Sequence, residues 1–474
     1  MSDSTATTAS TAEKAGASFA VLPLSPAMQA NLRQLEYRVM TPIQAASLPL
    51  ALAGHDLIAQ AKTGSGKTAA FTLPLLTNLN PRRFAVQAMV LCPTRELADQ
   101  VTQEIRRLAR AADNIKVLSL CGGTTLRPQM ASLEHGAHIV VGTPGRIMDH
   151  LERGSLRLDA LNTLVLDEAD RMLDMGFYDD IAYVAKQCPA KRQTLLFSAT
   201  FPEGIVRLAR DFLRHPQEVK LPEQHAGSKI RQRFYEVKHT ERLQAVGALL
   251  RHYRPVSTLA FCNTKQQCRD LVDVLNEQGF HALTLNGDME QRERDQVLIQ
   301  FANRSCSVLV ATDVAARGLD IAQLEAVINV DITPDPEVHI HRIGRTGRAD
   351  QDGWALSLCS PGDKRRVAAL EPMMGFEAEW HSLAGLKDAD EAPLVPPMVT
   401  LQILGGRKEK IRPGDVLGAL TGEAGFTREQ VGKITVTDQT TYVAVARQIA
   451  DEAVRRLSAG KVKGRPVKVR ALED

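Results

Sequence analysis

One octapeptide, Ala61-Lys62-Thr63-Gly64-Ser65-Gly66-Lys67-Thr68, limits what this chain can fold into more than any other stretch. It follows the apolar run Asp56-Leu57-Ile58-Ala59-Gln60 and precedes the helix-forming Ala69-Ala70-Phe71-Thr72-Leu73. A strand that turns through glycines into a helix start aims backbone N–H groups and the positive helix end at one point, which suits a phosphate. In such a loop Lys67 reaches a terminal phosphate and the Thr68 hydroxyl binds Mg²⁺. The usual pattern begins with Gly where this chain has Ala61, and a small residue still permits the turn. A nucleoside triphosphate is therefore the ligand expected at residues 61–68.

The 474 residues exceed one core and predict two or three domains of about 100–200 residues. From Ala20 to about Pro222, apolar runs such as Ala88–Cys92, Thr163–Leu166 and Thr194–Phe197 alternate with helix-like segments. Runs that are apolar throughout predict strands buried on both faces of a parallel sheet. Ligands bind at the C-terminal ends of such strands, so the polar signatures that follow them are expected on one rim. After a polar stretch at 223–229 the alternation resumes, without a second phosphate loop, and ends near Gly385. A charged, Pro-rich stretch over 386–397 reads as another linker. Residues 398–474 read as strand, helix, two strands, helix, strand. The expected fold is thus α/β, with two parallel-sheet lobes at 19–222 and 230–385, a small α+β domain at 398–474, and a disordered tail at 1–18.

Charge separates these parts. The net charge of +3 hides 14 Lys or Arg against 9 Asp or Glu in 398–474, so the positive excess lies in the last domain. The sequence has no apolar run of about 18 residues to span a membrane, and its start lacks the pattern of a signal peptide. Seven scattered cysteines without C-x-x-C spacing read as buried thiols in a reducing cytoplasm.

Asp167 and Glu168 end a buried strand 99 residues after Thr68. There Asp167 would hold Mg²⁺, largely through water, and Glu168 would polarise the attacking water. Phosphoanhydride hydrolysis also needs positive charge where negative charge develops, and Arg345 and Arg348 in the other lobe are the candidates. Tyr37 and Gln44 flank Thr41-Pro42-Ile43; a ring and an amide suit an adenine base, and core packing is the alternative unless the phosphate loop is close.

The order of Gln44, 61–68, Pro93–Leu97, Thr143–Arg146, Asp167-Glu168-Ala169-Asp170, Ser198-Ala199-Thr200, Ala311–Asp320 and His341–Arg348 resembles the DEAD-box RNA helicases over residues 19–365. The resemblance implies two RecA-like lobes, ATP with Mg²⁺, and RNA-stimulated hydrolysis coupled to local strand separation. It implies that Tyr37 and Gln44 recognise adenine, that Asp320 contacts the ribose, and that Arg345 and Arg348 meet the γ-phosphate. Ser198 and Thr200 resemble the pair that couples hydrolysis to strand separation. Thr94, Arg95, Gly123, Thr143, Arg146 and Thr312 resemble contacts to the RNA backbone. An ATP-gated RNA clamp would need the same motifs. Glu36 departs from the family, which often has Gly before the aromatic.

The last domain is similar in element order to an RNA-recognition (RRM-like) fold, and the whole chain, including Arg412-Pro413-Gly414-Asp415-Val416-Leu417-Gly418-Ala419-Leu420-Thr421-Gly422 in that domain, resembles the bacterial DbpA type within that family. That similarity implies a structured element of 23S ribosomal RNA and large-subunit assembly particles as partners, for a cytoplasmic monomer. Basic residues bracket the domain, among them Arg407, Lys408, Lys461, Lys463 and Arg465, but its inner strands offer one ring, Tyr442. Two readings follow from the residues: RNA held by the basic ends with a weakly binding sheet, or a protein-binding module with a solvated basic face.

Overall fold

The computed structural model describes residues 16–61, 64–201, 203–220, 230–316, 324–347, 352–374, 377–386 and 392–472. Most of the tail at 1–18, the linker at 223–229 and residues 387–391 of the second linker lie outside them. The described residues fall into two units, 16–220 and 230–472.

The first unit is built on β1 (Leu57–Gln60), β2 (Ala88–Leu91), β3 (Val117–Leu120), β4 (Ile139–Gly142), β5 (Thr163–Leu166), β6 (Gln193–Ser198) and β7 (Gln217–Lys220). They form one sheet in the order β3-β4-β2-β5-β6-β1-β7, parallel at every pairing. Successive residues feed opposite faces: Leu164 and Leu166 enter one apolar layer and Val165 the other. Helices cover both layers, which is why these strands are apolar throughout. At the edge, β7 buries only Val219 of its four residues. A strand paired on one side needs little apolar surface, so its polar sequence carries no strand signal.

The second unit contains β8 (Ile230–Glu236), β9 (Thr258–Phe261), β10 (Ala282–Leu285), β11 (Val308–Ala311), β12 (Ala326–Asn329), β13 (Gly353–Cys359) and β14 (Trp380–His381). Their order, β10-β11-β9-β12-β13-β8-β14, repeats that of the first sheet position for position. Strand β8 takes the place of β1, yet Val237-Lys238-His239 follow it where the first lobe has its glycines.

The same unit ends in a four-stranded antiparallel sheet: β15 (Met398–Leu404), β16 (Val431–Val436), β17 (Thr440–Ala446) and β18 (Lys468–Leu472), in the order β16-β17-β15-β18. Helices Pro413–Gly418 and Ala450–Ala459 complete the expected α+β order. Val399, Leu401, Ile403, Val443 and Val445 face those helices. On the opposite face Thr400, Gln402 and Tyr442 are also buried, at 0%, 1% and 3% exposure. Thr400 is covered by the second lobe: Asn303 Nδ2 donates to its Oγ1 at 3.1 Å, and Ser305 Oγ lies 2.6 Å from it.

All seven cysteines are buried free thiols. Among the described residues no helix is long and apolar enough to cross a membrane.

Candidate nucleotide and nucleic-acid site

Strand β1 lies between β6 and β7, and its C-terminal end delivers the phosphate loop to the rim. Gly66 has φ +90°, and a Cβ there would stand 2.5 Å from Gln44 Nε2, so the position requires glycine. Gln44 Nε2 donates to Gly66 O at 3.0 Å, and its Oε1 accepts from Thr41 N at 2.8 Å. Gln44 is therefore packed on the phosphate loop itself. Lys67 opens the helix Lys67–Thr77. An open cleft of about 550 Å³ runs from Tyr37 and Gln44 past Gly64, Gly66, Lys67 and Thr68 to Asp167 and Glu168. Ser65 lies within this loop and Ala61 is buried beneath it, its N–H bonded to Ser198 O at 2.9 Å. Lys62 and Thr63 lie outside the described residues.

Tyr37 sets its ring edge against Phe19, with centroids 5.7 Å apart, and its hydroxyl donates to Glu104. Burial, then that carboxylate, pushes the phenol well above its ordinary range. Glu36 just before it has φ +63°, the left-handed region that favours glycine. The turn before Tyr37 is thus made with a strained residue, and Tyr37 lines the cleft. Glu104, which no motif reading selects, lines it too.

Strand β5 ends in Asp167 and Glu168, both nearly fully buried. Lys67 Nζ lies 3.8 Å from Asp167 Oδ1. Burial raises the Asp167 carboxyl to about 6, with Lys67 opposing the rise and Glu168 adding to it. Among the described residues neither Lys67 Nζ nor Asp167 Oδ1 has a hydrogen-bond partner. Two buried, opposite, unsatisfied groups fit a phosphate for the amine and a cation for the carboxylate. Among the described residues no three His, Cys, Asp or Glu side chains form a metal site. A cation here would share Thr68 and Asp167 with phosphate oxygens and water.

Glu168 has φ +52°, and its carboxylate lies 3.0 Å from Arg171 Nη1, both groups buried. Asp170 Oδ2 accepts from Ala199 N, Thr200 N and Thr200 Oγ1 at 3.1, 2.9 and 3.0 Å. Ser198 Oγ donates to Thr200 O at 2.7 Å. Asp170 and Arg171 were legible only as neighbours of the acidic pair; nothing local says where their side chains go.

The C-terminal ends of β2, β3 and β4 bring the expected RNA contacts to the same rim. Thr94 caps the helix Arg95–Leu108 by accepting from Leu97 N at 3.3 Å, and Arg95 lies 3.7 Å from Asp99. Gly123 is exposed with φ +75°. Thr143 starts the helix Pro144–Glu152 and makes no side-chain cap. Arg146 donates to Thr124 O and Gln129, and its Nε lies 3.5 Å from Asp149.

In the second lobe Thr312 follows β11 and accepts from Ala315 N at 3.4 Å. Arg345 is buried just past the helix Pro336–Ile343. Arg342, not selected from the sequence, grips Asp313 with two donors at 2.6 and 2.7 Å and donates to Asp331 O at 2.7 Å. Asp320 and Arg348 lie outside the described residues.

The basic ends of the last domain meet in space. Lys463 Nζ donates to Lys410 O and lies 3.8 Å from Asp415. Arg407, Lys408, Lys461, Lys463 and Arg465 are all exposed. Tyr442, by contrast, is buried and hydrogen-bonded by Gln402 at 3.4 Å, so its ring offers no open stacking platform.

Residues 41–208 match the DEAD/DEAH box helicase family, 241–350 the helicase conserved C-terminal domain, and 400–471 the DbpA RNA binding domain. The chain is 51% identical over 450 residues to ATP-dependent RNA helicase DbpA of Escherichia coli, covering 95% of this chain and 98% of that one. It is 36% identical to the DbpA of Bacillus subtilis, covering 92% and 96%. Among solved structures, Saccharomyces cerevisiae Dbp5 bound to RNA and ADP BeF3 superposes with a TM-score of 0.71 at 30% identity, covering 77% of this chain and 96% of that one.

Proposed function

The chain belongs to the DEAD-box ATP-dependent RNA helicases, of the DbpA type, and is an RNA-dependent ATPase; from that premise we propose that it opens short duplexes in 23S ribosomal RNA during large-subunit assembly. The observation that supports the chemistry is the buried, unsatisfied pair Lys67 and Asp167 at the floor of the cleft. In this reading Tyr37 and Gln44 take the adenine, residues 61–68 hold the phosphates, and Asp320 takes the ribose. Mg²⁺, held by Asp167 and Thr68 with the phosphates, would screen the charge that develops on them. Glu168 orients the attacking water, and Arg345 and Arg348 come from the second lobe to the γ-phosphate.

RNA backbone lies along Thr94, Arg95, Gly123, Thr143, Arg146 and Thr312. Such contacts report shape and carry no sequence. Sequence preference is assigned to the last domain, as a monomer acting in the cytoplasm. With Thr400, Gln402 and Tyr442 buried on the outer sheet face, the joined basic ends at Arg407, Lys408, Lys461, Lys463 and Arg465 become the RNA grip. Asp170, bonded to Thr200, links the acidic turn to the segment that couples hydrolysis to strand separation.

The test is steady-state ATPase with no RNA, a random duplex, or a 23S rRNA fragment at fixed salt, beside duplex displacement. The fragment should stimulate most and the duplex should open. Equal stimulation by both RNAs would remove the specificity. Stimulation without displacement would make the chain an ATP-gated clamp. Lys67→Ala and Arg345→Ala should each abolish stimulated turnover, and normal turnover in the Arg345 variant would overturn the two-lobe mechanism.

A further inference from the structure

Gln129, on the helix Leu126–Glu134, lies behind the Gly122-Gly123-Thr124 turn, whose Gly123 and Thr124 are exposed, and belongs to none of the motifs above. Its Nε2 donates to Cys121 O and to Thr124 Oγ1, each at 3.0 Å. Its Oε1 accepts from Arg146 Nη1 at 2.9 Å and lies 2.9 Å from His150 Nε2. A primary amide offers two donors and two acceptor positions, and all four are used here. The orientation is set by its partners: Arg146 can only donate and the Cys121 carbonyl can only accept, so Oε1 must face the first and Nε2 the second.

That assignment propagates. Because Oε1 accepts, His150 Nε2 carries the proton; Nδ1 lies 2.8 Å from Ser155 Oγ, which donates to His150 O at 3.1 Å. His150 is fully buried, and burial, then Arg146, lowers its pKa from the ordinary histidine value. The guanidinium that Gln129 orients closes the far side of the turn, where Arg146 Nη1 and Nη2 both donate to Thr124 O at 3.1 Å. The turn is thereby held at Cys121 and at Thr124 from one amide. Its two glycines have no side chains to fix it, and Gly123 needs φ +75°.

We propose that Gln129 is a positioning residue for RNA: without touching the nucleic acid, it fixes the Gly122–Thr124 backbone and the Arg146 side chain in the geometry that grips the sugar-phosphate chain. This rests on the reading that the rim of the first lobe binds RNA. A backbone contact is sensitive to displacements near 1 Å, so loss of the clamp weakens RNA capture while leaving the chemistry of bound complexes in place.

The experiment uses the full chain with Gln129→Met, which keeps length and loses every hydrogen bond, and Gln129→Glu, which keeps the acceptor for Arg146 and His150 and loses the donor to Cys121. ATPase is titrated with a poly(U) oligonucleotide, and thermal midpoints are measured beside it. Gln129→Met should raise the RNA concentration for half-maximal stimulation about tenfold, with turnover at saturating RNA within twofold. Gln129→Glu should fall between it and the unsubstituted chain. An unchanged half-saturation in Gln129→Met overturns the inference alone. So does a fall in saturated turnover with a lowered thermal midpoint and no shift in half-saturation, the pattern of a merely structural residue. No RNA stimulation of the unsubstituted chain would overturn the RNA reading, and the inference with it.

Discussion

Thr200 Oγ1 donates to Asp170 Oδ2 at 3.0 Å, and the same carboxylate oxygen takes Thr200 N and Ala199 N. The acidic turn after β5 and the segment after β6 are thus fastened at one buried atom. Movement of one must displace the other or break charge-assisted hydrogen bonds, each of about 1.5–3 kcal/mol.

Replacing Thr200 by Val keeps the shape and removes one of those bonds. Thermal stability should fall by about 1–2 kcal/mol. Duplex displacement should fall at least several times more than RNA-stimulated ATPase when both are measured on one preparation. Equal losses would show that this bond does not link hydrolysis to strand separation.

Tyr442 is buried against its sheet partner Gln402. Tyr442→Leu should lower the thermal midpoint and leave rRNA-fragment affinity within twofold. A ring that stacked on a base would lose about 1–3 kcal/mol of binding instead. A tenfold or greater loss of affinity would return the sheet face to the RNA.

Reversing Lys461, Lys463 and Arg465 to Glu should weaken fragment binding and flatten its dependence on salt. Each phosphate neutralised contributes about 0.7–0.9 to the slope of log K against log salt, so the slope should drop by about 2. An unaltered slope would mean that these side chains face only solvent.

His339 is fully buried against Phe234, and among the described residues neither ring nitrogen has a partner. Burial, with Arg342 nearby, lowers it from 6.5 to about 4. Between these values the unfolded chain binds a proton that the folded chain refuses, so stability is lost as pH falls from about 6.5 toward about 4. The loss attributable to this ring is about 3 kcal/mol. Denaturant titrations of His339→Leu should show a shallower decline over that window. A decline as steep as in the unsubstituted chain would place the cause elsewhere.

Much of the site was legible because its chemistry is local. Gly66 and Lys67 declare a phosphate loop by their spacing, and Leu164-Val165-Leu166 declares a strand buried on both faces before Asp167. The edge strands β7 and β14 were not legible, because one-sided pairing leaves no apolar pattern. Arg342 was hidden for another reason: as one basic residue in a basic string, nothing marks it as the one buried on Asp313 and its neighbour as something else.

By itself the sequence determined the strands of the sheet interiors, the turns and the residues proposed to meet a nucleotide, since these follow from residue types within a few positions of one another. Only the tertiary structure decided that Asp170 holds Thr200, that Gln129 clamps a glycine turn to Arg146, that Lys410 and Lys463 share one basic end, and that Thr400 faces the second lobe. Those pairs join segments brought together by strand order and packing, and a hydrogen bond's partner depends on distance and direction in space, which no spacing along the chain encodes.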